Sequence, residues 1–219
     1  MKQEDWSDVS PDVVLDFWFP DNGHEKSLET HREFWVWRMR GHADETICER
    51  FADLTLAAAK GFLDHWAATP RGRLALIIAL DQFPRSLWRG TPKAYGQDIK
   101  SSRLALEAFE NGDYDALEHP WEKQFLIVCV SHCEGPDHLA RMDRLVTMSK
   151  ALAATAPDHL KPSYMRTIAQ SLRVQGIIAR YGRHPHRNAI LGRVSTADEE
   201  EYIAIGEFPH ESEIPQLEL

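Results

Sequence analysis

The chain has 219 residues, of which 43% are hydrophobic, 10% aromatic and 27% charged, and its formal charge at neutral pH is −9. A monomer of this size buries about 72% of its unfolded surface, enough for one core without disulfides or metal. These figures exclude a disordered, collagenous or disulfide-rich secreted chain, and the net acidity argues against a nucleic-acid binder.

The apolar spacing is helical from end to end. Ser10-Pro11 reads as a cap followed by a first-turn proline, opening a helix that carries Val13, Val14, Phe17 and Trp18 and stops at Pro20-Asp21-Asn22-Gly23. A second helix is predicted over 28–39, and a longer one over 44–66 with Ile47, Phe51, Leu54, Ala58, Phe62 and Trp66 in phase. Thr69-Pro70 repeats the opening signal for a helix with Leu74, Ile77, Ile78 and Asp81 on one face, ended by Pro84. The spacing then predicts helices over 97–109, from His119-Pro120 to Gly135-Pro136, over 137–153 and over 162–181. Ser195-x-x-Asp198 opens a short last helix in the manner of a capping box. No alternating segment appears, so the fold class is all-α: about nine helices in a single domain over 1–205, followed by an acidic, partly ordered tail over 206–219.

Three cysteines, Cys48, Cys129 and Cys133, suit reduced thiols. The polar N-terminus and the shortness of the apolar runs 74–80 and 125–130 point to a cytoplasmic protein with no membrane partner.

The net charge is unevenly placed. Residues 1–158 carry −8, residues 159–197 carry +7 with no acid among them, and residues 198–219 carry −8. The basic stretch holds Lys161, Arg166, Arg173, Arg180, Arg183, Arg187 and Arg193, and Arg166, Arg173 and Arg180 fall seven apart on one helical stripe. Such a cluster must face solvent, meet the protein's own acids, or hold an anion, and guanidinium groups suit carboxylate or phosphate.

Three motifs carry chemistry. Leu80-Asp81-Gln82-Phe83-Pro84-Arg85 puts a carboxylate in an apolar phase, which demands a cation or several donors. Cys129, His132 and Cys133 share helical spacing, but only three ligands stand together and no paired cysteine motif accompanies them, so no metal is expected; Glu134 follows directly. Arg180-Tyr181-Gly182-Arg183-His184-Pro185-His186-Arg187-Asn188, running into Leu191-Gly192-Arg193, concentrates cations beyond what a helix terminus requires.

With these motifs, Val14-Leu15-Asp16-Phe17-Trp18-Phe19 and Arg89-Gly90-Thr91, the sequence resembles domain-of-unknown-function family 924, a bacterial family of all-helical proteins. The resemblance runs to about Tyr202 and implies a tetratricopeptide-like superhelical fold but no reaction. The family usually has asparagine where Ser86 stands, serine at Cys133 and phenylalanine at His184.

The expected function is a binding protein with a basic, concave site for a small anionic ligand or an acidic peptide end. Asp81, Gln82, Arg85, His132, Glu134, Arg180, Arg183, His186, Arg187 and Asn188 would surround it, with no cofactor, no metal and no nucleic acid. One alternative is a hydrolase-like enzyme with His132 or His186 as general base, oriented by Glu134 or Asp81. The other is a scaffold in which the same residues form a buried Arg–carboxylate network. Oligomeric state is not legible.

Overall fold

The computed structural model describes residues 6–206 and Phe208. The segment read as an acidic tail, 206–219, lies outside the described residues apart from Gly206 and Phe208. Among the described residues there are twelve α-helices, four short 3-10 turns and no strand. In chain order the helices are α1 Asp12–Trp18, α2 Leu28–Met39, α3 Asp44–Arg50, α4 Ala52–Ala59, α5 Pro70–Asp81, α6 Phe83–Leu87, α7 Asp98–Asn111, α8 Asp113–Ala116, α9 Pro120–His132, α10 His138–Thr155, α11 Lys161–Tyr181 and α12 Ala197–Ile205.

The all-α expectation holds, and the helix count rises from about nine to twelve. The long helix expected over 44–66 is three pieces. At Phe51 the backbone opens to φ −118°, ψ 4°, separating α3 from α4, and after Lys60 the left-handed Gly61 (φ +88°) turns the chain into the 3-10 turn Asp64–Ala68. The apolar phase largely survives these breaks, because Ile47, Phe51, Leu54, Ala58 and Trp66 still reach the core, whereas Phe62, expected in the same phase, is exposed. The other additions, α6 and α8, are single turns. The last capping box is shifted by one residue: Thr196, not Ser195, accepts from the Glu199 amide at 3.2 Å, and Glu199 returns the bond to the Thr196 amide at 2.8 Å.

Helix α5 is the centre. Its residues from Gly72 to Asp81 are all buried, as befits a helix apolar on every side. Thr69 caps it by accepting from the Gly72 amide at 3.1 Å, and Pro70 occupies the first turn. A Cβ on Gly72 would stand 2.2 Å from the Trp66 carbonyl oxygen, so glycine is what lets α5 press against the preceding 3-10 turn. From α5 the helices pack in succession, α7 on α5, α9 on α7, α10 on α9 and α11 on α10, while α1 covers α5. The core runs without interruption from Val14 to Ile178, with Trp18 edge-on to Phe83 and Phe125 at 5.8 and 5.6 Å.

This packing fixes where the polar motifs meet. The C-terminal ends of α5 and α9 and the N-terminal end of α7 lie together, and the loop that follows α11 closes over them.

Candidate functional site

Asp81 is the last residue of α5 and is fully buried. Its carboxylate accepts from His132 Nδ1 at 3.0 and 3.1 Å, pairs with Arg85 at 3.1 Å and also accepts from Gln82 Nε2. Burial pushes its acidity toward the neutral form, but Arg85 and His132 outweigh burial and hold it well below the usual carboxylate range. Because an ionised carboxylate only accepts, Nδ1 of His132 carries the ring proton and Nε2 carries the lone pair. Burial lowers the basicity of His132, so the ring is neutral near pH 7.

Arg85 also pairs with Asp98 at 2.9 Å, and Asp98 in turn pairs with Arg187 at 3.2 Å. The Arg187 Nη1 donates a second bond, 2.8 Å, to the His132 carbonyl, and the guanidinium lies 4.5 Å from the Tyr95 ring centre. The result is a chain of alternating charge through the protein interior: His132, Asp81, Arg85, Asp98, Arg187. Its ends rejoin through the His132 main chain. Arg187 is 3% exposed. Its acidity is shifted away from the ordinary arginine value toward the neutral form, chiefly by burial and only partly offset by Asp98.

Glu134 stands on the other side of His132. It accepts from the His184 amide at 2.7 Å and from both terminal nitrogens of Arg193, one at 3.2 Å, while Arg193 also donates to the His184 carbonyl at 3.1 Å. Despite its burial, these bonds keep Glu134 below its ordinary value. Two histidines, His138 and His184, converge on the Ser131 carbonyl at 3.1 and 3.3 Å. His186 lies in the 3-10 turn Pro185–Arg187, with its ring 5.4 Å from that of His184 and 5.1 Å from that of Phe208.

Arg180 and Arg183 stand apart from this interior. Arg180 pairs side-on with Asp198 through Nε (2.9 Å) and Nη2, at the surface. Arg183 pairs side-on with Glu199 at 2.6 and 2.8 Å. Asn188 is buried, and its Nδ2 donates to Ser195 Oγ at 3.0 Å. The structure thus brings Asp81, Gln82, Arg85, His132, Glu134, His186 and Arg187 around one centre, turns the buried Asn188 side chain toward Ser195, and leaves Arg180 and Arg183 on the outer rim. The metal-like spacing dissolves, since His132 turns to Asp81 and Cys133 Sγ donates to the Glu134 carbonyl at 3.6 Å. Among the described residues no three His, Cys, Asp or Glu side chains are arranged to hold a metal ion.

Sequence reasoning missed Asp98, Tyr95 and Arg193. Asp98 opens α7, where an acid is ordinary, so nothing at that position announces a buried partner for two arginines. Arg193 counts among the seven bases of the basic stretch, yet only the fold reveals that it faces Glu134.

Several buried polar nitrogens and oxygens around this centre have no hydrogen-bond partner among the described residues: Arg187 Nε, Arg193 Nε, His186 Nδ1, His138 Nδ1 and Asn188 Oδ1. Buried polar atoms are nearly always paired, so these five call for an explanation, as do Trp18 Nε1, Arg38 Nε and Gln124 Oε1 elsewhere in the fold. A separate cleft of about 360 Å³, lined by Ser7 to Pro11 with His65, Trp66 and Thr69, shares no residue with the network.

The molecule is therefore an all-helical protein whose most polar interior lies where α5, α7, α9 and the loop after α11 converge. Over residues 14–207 the chain matches the family described as bacterial protein of unknown function, DUF924, and it belongs to that family. It is also similar to a solved structure, the protein of unknown function ATU0120 from Agrobacterium tumefaciens. That likeness has 29% identity and a TM-score of 0.64, and it covers 90% of this chain and 97% of that one. No curated protein matches the chain. No described helix is long and apolar enough to cross a membrane.

Proposed function

We propose that this chain is a binding protein for a small anionic ligand, seated on the inner guanidinium groups of Arg187 and Arg193. The observation that carries this reading is the Nε of Arg187, on the guanidinium edge that it shares with Nη2. In Arg180 and Arg183 the same edge is filled by a carboxylate of the chain itself. In Arg187, 3% exposed, Nε has no partner among the described residues. A buried guanidinium nitrogen left unmatched is costly, and an oxyanion is its natural complement. On this reading a tetratricopeptide-like superhelical stacking of α5, α7, α9, α10 and α11 gives the site its concave frame.

The Asp81–His132 pair favours a second reading, an enzyme acting on the same anion. Asp81 fixes the tautomer of His132 as an orienting carboxylate does in acid–base catalysis, leaving Nε2 as the atom that would take a proton. The scaffold reading rests on the ion pairs alone.

A thermal-shift panel of carboxylates, inorganic phosphate and nucleotides separates these readings. A ligand at ten times its dissociation constant adds ~1.4 kcal/mol, about 3–6 °C for a chain of this size. A saturable rise that disappears in both Arg187→Lys and Arg193→Gln is the expected result. A flat panel for the folded wild type would leave only the scaffold.

A further inference from the structure

We infer that this site takes a carboxylate carrying a single negative charge, and that His186 gains one proton when the carboxylate binds. The inference rests on the anion reading above and deepens it by naming the ligand class. It follows from a count of charges and from the shape of the open edge.

The inner site already holds three carboxylates, Asp81, Asp98 and Glu134, against three guanidinium groups, Arg85, Arg187 and Arg193. Each of these arginines is paired with a carboxylate before any ligand arrives, although burial pushes Asp98, shared by Arg85 and Arg187, toward its neutral form. An entering anion therefore makes a buried, balanced site net negative, which low-dielectric surroundings oppose. One proton restores the balance for a monoanion, whereas a phosphate dianion or a nucleotide requires two or more. The open edge agrees with this. Nε–H and Nη2–H of one guanidinium are parallel donors that match the two oxygens of a carboxylate, as Arg183 and Glu199 already demonstrate in this chain at 2.6 and 2.8 Å.

His186 is the group placed to take the proton. It precedes Arg187 in the same 3-10 turn, and its Nδ1 is buried with no hydrogen-bond partner among the described residues. The charged and titratable groups around it are Arg187, Arg193 and His184 from its own loop, and His132 and Glu134 from the end of α9; Phe208 covers one ring face. Burial keeps the ring neutral, Arg187 and Arg193 add to it and Glu134 opposes it, and together they hold its pKa down to about 4. A bound carboxylate evens that count, two cations against two carboxylates, and so favours the imidazolium more than Glu134 does alone. His132 holds Asp81 through Nδ1, and His138 and His184 hold the Ser131 carbonyl through Nε2; none of the three lies in the 3-10 turn with Arg187, as His186 does.

The test is isothermal calorimetry of the full chain with acetate, inorganic phosphate and the peptide acetyl-Ala-Ala, at several pH values between 5.5 and 8 and in two buffers of different ionisation enthalpy. We expect acetate to bind with uptake of about one proton and to weaken by up to about tenfold per pH unit as pH rises. In His186→Gln the uptake is lost while binding persists, more weakly. Tighter binding of acetyl-Ala-Ala than of acetate, with the same proton, assigns the carboxylate to a peptide end, and the reverse assigns it to a free acid. Acetate or peptide binding without proton uptake, or phosphate binding more tightly than acetate at pH 8, overturns the inference and leaves the anion reading standing. If none of the three probes binds, the anion reading falls and the inference falls with it.

Discussion

Arg183 and Arg187 stand four residues apart in one basic stretch and are built to opposite specifications. Arg183 lies at the rim, its side chain 30% exposed, with its Nε/Nη2 edge closed by Glu199. Arg187 lies inside, sharing Asp98 with Arg85 through Nη1 and leaving Nε unmatched among the described residues. The chain has enough acids to satisfy its arginines and distributes them unequally. What separates a stitching arginine from a candidate binding arginine is therefore neither its sequence neighbourhood nor its net pairing. It is the geometry of the edge that remains.

The comparison predicts different costs for inner and outer changes. The largest belongs to Asp98→Ala, which strands both Arg85 and Arg187 without their shared carboxylate. Loss of one partner of a buried pair costs ~3–5 kcal/mol, readable by urea denaturation. A loss below ~1 kcal/mol would mean that the inner chain of charges is as plastic as the rim.

The second prediction concerns pH. In the folded protein His138 and His186 are each held down to about 4, mainly by burial, from an ordinary value of 6.5. The unfolded chain takes up a proton near 6.5 that the folded chain refuses until about 4. Their contribution to stability is thus complete above 6.5 and is lost as pH falls toward 4. The melting temperature should drop across that window, and His138→Gln should flatten part of the slope. If the slope is unchanged in His138→Gln, that imidazole is not held neutral by the fold.

At the rim the effects are smaller. Thr196→Ala removes the cap that orients Glu199 toward Arg183 and should cost ~1 kcal/mol in the same denaturation assay. Arg180→Ala should leave the melting temperature unchanged, since the Arg180–Asp198 pair is exposed and screened by solvent. A loss at Arg180 comparable to that at Asp98 would erase the distinction between the two zones.

The fold class was readable because apolar phase is a local signal: α2 begins and ends where the spacing predicts, and Thr69-Pro70 opens α5 as expected. The break at Phe51 was hidden, because a residue can leave helical dihedrals and still keep its side chain in phase. At the site, Asp81 could be placed inward from Leu74, Ile77 and Ile78, and its need for a cation followed from burial alone. That His132 and Arg85 both answer that need depends on the ends of α5 and α9 meeting, which no spacing rule contains. Asp98 was invisible for the same reason. The sequence counted seven bases without acids between 159 and 197, and left open whether they meet internal acids or a ligand. For the last four of the seven, the structure pairs Arg180 and Arg183 with Asp198 and Glu199, pairs Arg187 and Arg193 with Asp98 and Glu134, and narrows the open question to two Nε–H groups.

The central claim is that the open edge of Arg187 receives an anion while the closed edge of Arg183 does not. The arginine Nε–H region of the 1H–15N spectrum reads this directly during titration with acetate near pH 6. The account predicts a saturable shift of the Arg187 Nε–H signal, with that of Arg183 stationary. A stationary Arg187 signal, or equal shifts at both arginines, would contradict it.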